Sequence, residues 1–201
     1  MFSKTKSSAQ NKQPPTRQFA RRIGSAARQR GASIIGVLLG LVITAAVSAV
    51  LYNLYTDSQR KARIEAAQAE MTSMIAGSQK LYGNANQYGA VTTAIAIQSG
   101  VVPGRLRVPG TNTAQNRYNG AITFTPTTIT TANDGLILGY ANVNREDCQD
   151  LVLGIDTLAR RIAVGATTVK PNDAPVNVAT MSTACDATAT VALNIAFGRG
   201  Q

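Results

Sequence analysis

One uninterrupted apolar segment constrains the fold of this chain more than any other feature. Residues 32–55 carry no charged side chain over 24 positions. A helix rises about 1.5 Å per residue, so this segment would cover roughly 36 Å and cross the hydrocarbon core of a bilayer. It is longer than the apolar region of an ordinary signal peptide. The sequence therefore predicts a transmembrane helix. A plain single-pass anchor and a signal peptide are the alternatives.

The charge of the chain is concentrated before this segment. The net charge is +10, and residues 1–31 contain eight of the basic residues and no acidic one. These residues are Lys4, Lys6, Lys12, Arg17, Arg21, Arg22, Arg28 and Arg30. Basic residues beside an apolar helix keep that end in the cytoplasm. We therefore expect residues 1–31 to form a cytoplasmic leader and residues 56–201 to be exported. Nucleic-acid binding by the leader is a weaker alternative, because no nucleic-acid motif accompanies the charge.

The residue types present argue against catalysis. The chain has no His and two Cys residues, Cys148 and Cys185. A chain without His lacks the commonest acid–base catalyst and most zinc-site patterns. It also has no glycine motif of the kind that binds phosphate. We expect no enzyme activity, no cofactor and no metal site. Two Cys residues in an exported segment predict one disulfide, although two unrelated buried thiols would also fit.

The helical pattern continues beyond the apolar segment to residue 82, so one helix of about fifty residues is predicted. Its apolar side chains at helical spacing are Ile64, Ala67, Met71, Met74, Ile75, Leu81 and Tyr82, with Ser78 among them. The polar residues expected on the other side are Arg60, Lys61, Glu65, Gln68, Glu70 and Gln79. Asn84, Asn86 and Gly89 are expected to end the helix. The apolar stripe requires a partner surface, and a β-sheet is the available one.

The rest of the chain predicts an α+β domain with an antiparallel sheet. The predicted strands are Ala121–Thr125, Thr127–Thr131, Leu136–Ala141, Arg161–Val164 and Thr188–Phe197, the last at the sheet centre. Short helices are predicted at Thr92–Ser99 and Asn144–Leu158, and residues 165–183 are expected to be a loop. The disulfide would join the second of these helices to the segment entering the last strand.

Two smaller features leave alternatives open. Gly36 and Gly40 form a small-xxx-small pair in the apolar segment, which favours close packing between helices, although Gly is also common in membrane helices. Asp147, Asp150 and Asp156 lie near one another in sequence. They could form a carboxylate site, but a solvated helix face is the favoured interpretation.

The layout resembles the type IV pilins, and within them the type IVb branch. The resemblance rests on Arg28-Gln29-Arg30-Gly31 followed at once by Ala32-Ser33-Ile34-Ile35 and the apolar segment. The segments Asn144–Leu151 and Ile195–Gly198 are also similar to type IVb pilins. The long leader and a first mature residue other than Phe agree with that branch.

The resemblance implies a structural role. A prepilin peptidase would cut between Gly31 and Ala32 and methylate Ala32, and residues 32–55 would form the core of a filament. The partners implied are other copies of the chain, the peptidase, the assembly machinery and inner-membrane lipid before assembly. The implied location is the bacterial inner membrane and then an extracellular pilus that serves adhesion, aggregation or conjugation.

One position departs from the family pattern. Type IV pilins usually have Glu at the fifth mature position, where this chain has Gly36. The departure favours a second possibility, a minor pilin or pseudopilin of a secretion or conjugation system. A third is a membrane-anchored binding module that never polymerises and keeps its leader.

Overall fold

The computed structural model describes residues 34–83 and 87–198. The chain divides into two units, Met1–Val47 and Ser48–Gln201. The described part of the first unit, residues 34–47, is helical throughout. It belongs to helix α1, Ile34–Ser78, which continues as a π-helical segment, Gln79–Gly83. The predicted helix of about fifty residues is therefore confirmed.

Among the described residues, the second unit contains a six-stranded antiparallel sheet and three further α-helices. The strands are β1 (Ala114–Gln115), β2 (Ala121–Thr127), β3 (Gly135–Asn144), β4 (Arg161–Val164), β5 (Thr167–Lys170) and β6 (Thr190–Gly198), in the order β1-β2-β3-β6-β4-β5. The helices are α2 (Thr93–Gln98), α3 (Arg145–Ile155) and α4 (Val178–Asp186). The α+β prediction is confirmed, and β6 lies between β3 and β4, inside the sheet as expected.

The part of α1 within the second unit buries its apolar stripe in the same core as the sheet. Its buried apolar side chains are Ile64, Ala67, Met71, Met74 and Ile75. They share one core with inward-facing residues of the central strands, which include Leu138, Tyr140, Leu193 and Ile195. Leu81, at the end of the stripe, is 48% exposed and does not belong to the core.

The predicted strand Thr127–Thr131 is wrong, because β2 runs through Pro126 and ends at Thr127. Proline lacks a backbone N–H and is tolerated in an edge strand. Strand β1 pairs only with Ala121 and Ile122, so β2 has an open edge at Pro126. The chain then forms a loop held by the Asp134 carboxylate, which accepts hydrogen bonds from three successive backbone N–H groups, those of residues 129–131. Burial acts to raise the pKa of Asp134, but these hydrogen bonds outweigh it and hold the pKa below its usual value.

The predicted loop 165–183 is also wrong, because it contains β5 and most of α4. Gly165 has a φ of +58° and allows a tight turn from β4 into β5. Asn177 caps α4 by accepting a hydrogen bond from the Thr180 backbone N–H at 3.0 Å. Strand β4 has the predicted bounds. Helix α3 begins one residue after the predicted start, and its last predicted turn is a 3-10 turn, Asp156–Leu158.

A disulfide joins α3 to α4. Cys148 and Cys185 are bonded, with their Cα atoms 5.7 Å apart. The predicted pairing is therefore confirmed, but Cys185 lies inside α4 and not in an extended segment before the last strand. Of the residues expected to end α1, Asn84 and Asn86 lie outside the described residues, and Gly89 lies in the 3-10 turn Tyr88–Ala90.

Candidate functional site

The first part of α1 exposes an apolar surface. Every side chain at positions 34–59 is exposed. The large aliphatic ones are Ile34, Ile35, Val37, Leu38, Leu39, Leu41, Val42, Ile43, Val47, Val50, Leu51 and Leu54. Burying one such side chain stabilises a protein by about 1.5 to 3 kcal/mol. By length and composition, α1 is the one helix among residues 34–83 and 87–198 that can cross a membrane. This surface therefore needs lipid or protein around it.

Two polar side chains on this part of α1, those of Thr44 and Asn53, bond to the backbone of the helix itself. Thr44 Oγ1 donates to the Gly40 carbonyl oxygen at 2.9 Å, and Asn53 Nδ2 donates to the Ala49 carbonyl oxygen at 3.1 Å. A polar group within a bilayer is costly unless it has an internal partner. These hydrogen bonds therefore let α1 carry Thr and Asn without preventing contact with lipid or with another apolar helix.

The glycine pair predicted to pack helices lies on open helix surface. A Cβ placed at Gly36 or at Gly40 would meet no heavy atom within 4 Å. No described contact within the chain therefore requires glycine at either position, and their role in packing stays a prediction. Gly31 and Ala32, the predicted cleavage and methylation positions, lie outside the described residues.

Farther along α1, two arginines hold a buried carboxylate of α3. The Asp147 side chain is 0% exposed. Arg60 Nε lies 2.9 Å from Asp147 Oδ1, Arg63 Nη2 lies 2.8 Å from Oδ2, and the Tyr118 hydroxyl donates to Oδ2 at 3.0 Å. The hydrogen bond to Asp147 raises the pKa of both Arg60 and Arg63. Burial, reinforced by the Asp147 charge, raises the pKa of Tyr118, so this hydroxyl stays protonated and donates.

The predicted solvated face of α3 is therefore wrong for Asp147. Asp150 is half-exposed and pairs with Arg60 at 2.9 Å, whereas Asp156 pairs with Lys170 at 2.7 Å. Asp147 and Asp150 share Arg60, whereas Asp156 has a different partner, so the three carboxylates do not form one site. Within the described ranges, no cluster of three His, Cys, Asp or Glu side chains could hold a metal ion.

A second buried carboxylate lies on α1 itself. Glu70 is 1% exposed, although the sequence pattern placed it on the polar side of the helix. Its Oε1 lies 2.5 Å from Arg117 Nη2 and 3.5 Å from Arg105 Nη2, and its Oε2 accepts a hydrogen bond from the Tyr140 hydroxyl at 3.0 Å. The hydrogen bond to Glu70 raises the pKa of Arg117. Burial, with the Glu70 charge, raises the pKa of Tyr140.

The signal for a buried Glu70 was present in the sequence. Glu70 follows Ala67 by three residues and precedes Met74 by four, so all three lie on one face of the helix. The signal for Asp147 is weaker: it precedes Cys148, whose disulfide requires that part of α3 to approach the core. In both cases the partner arginines are distant in sequence and could not be identified without the fold.

Together these contacts fix how α1 sits on the sheet domain within the second unit. Arg60 also donates to the Glu146 carbonyl oxygen, and Gln68 Nε2 donates to the Asp150 carbonyl oxygen at 3.0 Å. Gly154 lets α1 approach α3 closely, because a Cβ there would lie 2.0 Å from Gln68 Nε2. Buried ion pairs add little net stability but are costly when one partner is lost. They therefore specify one rotation and register of α1.

A helix with an exposed apolar surface that also carries an antiparallel sheet domain defines a pilin-like structural subunit. The comparisons with known proteins agree with this class. The family model described as PilS N terminal matches residues 61–196, and the chain belongs to this PilS family.

Among the solved structures similar to the chain are two pilins. The crystal structure of TcpA, a type IV pilin from Vibrio cholerae El Tor biotype, has 16% identity and a TM-score of 0.52, over 67% of this chain and 98% of the solved chain. A type IV b pilin from Salmonella typhi has 21% identity and a TM-score of 0.48, over 70% of this chain and 99% of that pilin. No curated protein sequence matches the chain. The resemblance to type IV pilins is therefore confirmed for the fold, and the family shown is the PilS family.

Proposed function

We propose that the chain is a prepilin whose mature form polymerises into a type IV pilus. In this proposal, residues 1–31 are a leader removed after Gly31, and Ala32 is the new, methylated amino terminus. Residues 32–55 anchor the precursor in the inner membrane and later form the filament core. Residues 56–201 form the exported domain on the filament surface.

The observation that carries the proposal is the complete exposure of apolar residues in the first part of α1. Exposed apolar side chains of this kind are stable in lipid, and contact with identical helices also buries them. Contacts of this kind between copies are heterologous, so they repeat along an axis and generate an open helical filament. The eight basic residues before the helix support an orientation with the leader in the cytoplasm.

The proposed partners follow from these steps. The precursor would be bound by inner-membrane lipid, then by the prepilin peptidase, and then by the assembly machinery that extracts it. The final partner is the chain itself. The sheet domain on the outside would serve adhesion, aggregation or conjugation, and we expect the chain itself to bind no cofactor and no nucleic acid.

Cleavage is tested by a change at the proposed site with a matched glycine as control. Gly31→Ile should leave the precursor at full length when it is expressed with a prepilin peptidase, because the branched side chain blocks the small-residue position before the cut. Gly24→Ile changes another glycine of the same leader and should leave cleavage intact. Gel mobility and the mass of the amino-terminal peptide give the result. Equal processing of both variants would contradict the assignment of Gly31.

Gly36 favours a second candidate function, that of a minor pilin or pseudopilin. This chain lacks the carboxylate that usually faces the amino terminus of a neighbouring subunit. Electron microscopy of sheared surface material separates the two functions. An abundant filament whose subunits begin at Ala32 supports a major pilin, and a trace component in filaments of another subunit supports the second candidate. A full-length monomer without filaments would contradict both and favour an anchored binding module.

A further inference from the structure

An open pocket with an excess of positive charge lies beside Glu70. It encloses about 440 Å³, and its lining includes Arg105, Arg107 and Arg117. Glu70 is the single carboxylate in this lining. All residues that line the pocket belong to the second unit.

The carboxylate does not neutralise the three arginines. Both Glu70 oxygens already have partners, Arg117 and Arg105 on Oε1 and Tyr140 on Oε2. Arg107 donates through Nε at 2.9 Å and Nη2 at 2.8 Å to the Val102 carbonyl oxygen, which is a neutral acceptor. Three cations and one anion leave the pocket with a formal charge of +2. Such an excess in a concave site attracts anions.

The hydrogen-bonding groups of the pocket are also incompletely matched. Arg117 Nε is buried and has no hydrogen-bond acceptor among the residues that the structure describes. A buried donor without an acceptor costs about 1 to 3 kcal/mol. Arg105 is 64% exposed, and its contact with Glu70 at 3.5 Å leaves most of its five N–H donors available. The site therefore offers an excess of positive charge and hydrogen-bond donors that are not all paired with acceptors.

We propose that this pocket binds an oxyanion group, a carboxylate or a phosphate, carried by a small acidic ligand such as an acidic sugar. The planar guanidinium groups of Arg105 and Arg107 would bind the oxyanion through paired N–H donors. The pocket is much larger than a bare ion, since a water molecule occupies about 30 Å³ in the liquid. The exposed side chains of Gln115 and Asn119, which also line it, would bind the hydroxyl groups of a sugar.

The proposal does not depend on polymerisation, so it is tested on the full-length chain in a nonionic detergent at low salt. Sodium glucuronate, inorganic phosphate and glucose are each titrated, and binding is measured by calorimetry. Glucuronate should bind saturably and glucose should not. Added salt should weaken glucuronate binding, because exposed charges are screened. Tighter binding of glucuronate than of phosphate identifies an acidic sugar as the ligand, and equal binding identifies the oxyanion alone.

Three variants locate the binding. Arg107→Gln and Arg105→Gln should each weaken glucuronate binding at least about tenfold, because losing one hydrogen bond to a charged group lowers affinity by at least about that factor. Arg145→Gln is the matched control, because Arg145 is exposed at the start of α3 and does not line the pocket. It should change the affinity less than twofold.

Two results would overturn the proposal. One is the absence of saturable binding of either anion by the wild-type chain. The other is equal weakening of binding by Arg145→Gln and by the two pocket variants. Circular dichroism checks that each variant is folded, and the exposed Arg105 provides a test that does not disturb the core.

Discussion

Replacing Asp147 by Asn should destabilise the sheet domain far more than the same change at Asp150. Both residues lie on α3 and both pair with Arg60 at 2.9 Å. They differ in burial, since the Asp147 side chain is 0% exposed and that of Asp150 is 53% exposed. The pair of variants therefore separates the effect of a buried carboxylate from that of a surface carboxylate on one helix with one shared partner.

The magnitude follows from the contacts that Asp147 makes. Removing one partner of a buried ion pair costs about 3 to 5 kcal/mol. Arg60 and Arg63 are 39% and 37% exposed, so water can partly solvate them after the change. Asn also keeps one acceptor oxygen for the Tyr118 hydroxyl. We therefore expect a loss of about 2 to 3 kcal/mol for Asp147→Asn and less than about 1 kcal/mol for Asp150→Asn.

Thermal and urea unfolding of the full-length chain in a nonionic detergent would measure the difference. Near-ultraviolet circular dichroism reports on the tyrosines packed in the domain, and the disulfide is kept oxidised. A loss of 2 to 3 kcal/mol corresponds to a fall in Tm of about 4 to 12 °C for a chain of this size. Equal Tm values for the Asp147 and Asp150 variants would refute the reasoning, because burial would then not decide the cost.

Three further predictions concern the disulfide, the buried tyrosines and the filament helix. Cys185→Ser should lower the free energy of unfolding by roughly 4 kcal/mol, since the Cys148–Cys185 bond closes a 37-residue separation; wild-type stability together with free thiols in the native protein would contradict this. Tyr118 and Tyr140 have raised pKa values, so their contribution to stability is complete below the ordinary pKa of 10.0 and should be lost as the pH rises above it. Urea unfolding at several pH values should show this loss as a fall in the free energy of unfolding with rising pH. The fall should become smaller when both tyrosines are replaced by Phe, and an unchanged fall would contradict the prediction. Gly36→Glu should preserve or improve filament yield in electron micrographs if only a charge pair is missing, whereas abolished assembly, with Gly36→Ala also defective, would support close packing at the glycine.

The sequence was sufficient for the elements with strong periodic patterns. Helix α1 has a 3.6-residue apolar repeat through Met71 and Met74, and β6 alternates from Val191 to Phe197. Each pattern arises because one face of the helix or strand is buried, and the spacing of apolar residues in a single sequence is enough to detect it. The predicted bounds of β4, Arg161–Val164, are also those of the structure.

The sequence was insufficient where tertiary contacts override local preference. Helix α4 contains Thr and a disulfide-bonded Cys, and its propensity for helix is modest. The Asn177 cap and the bond to Cys148 stabilise it. Strand β5 is short, and it forms because the Gly165 turn returns the chain beside β4. The sequence alone therefore does not predict α4 or β5, because each depends on contacts that exist only in the folded chain.

The buried charges show a second limit. Pattern analysis treats a charged residue as a surface residue, and that assumption placed Glu70 and Asp147 in water. Both are buried because arginines and tyrosines from other elements meet them there. A helical wheel locates Glu70 on the buried face, but identifying Arg117 as its partner requires the position of the segment before β2.

The adjacent residues Asp147 and Cys148 give α3 a mechanical role. Asp147 forms ion pairs with two arginines of α1, and Cys148 connects α3 covalently to α4. A pull along α1 would therefore reach α3 through ionic contacts that can re-form, and would pass from α3 to α4 through a bond that force of this kind does not break. Under such a pull, the ionic contacts between α1 and α3 would break first and could form again, while the disulfide between α3 and α4 would stay intact.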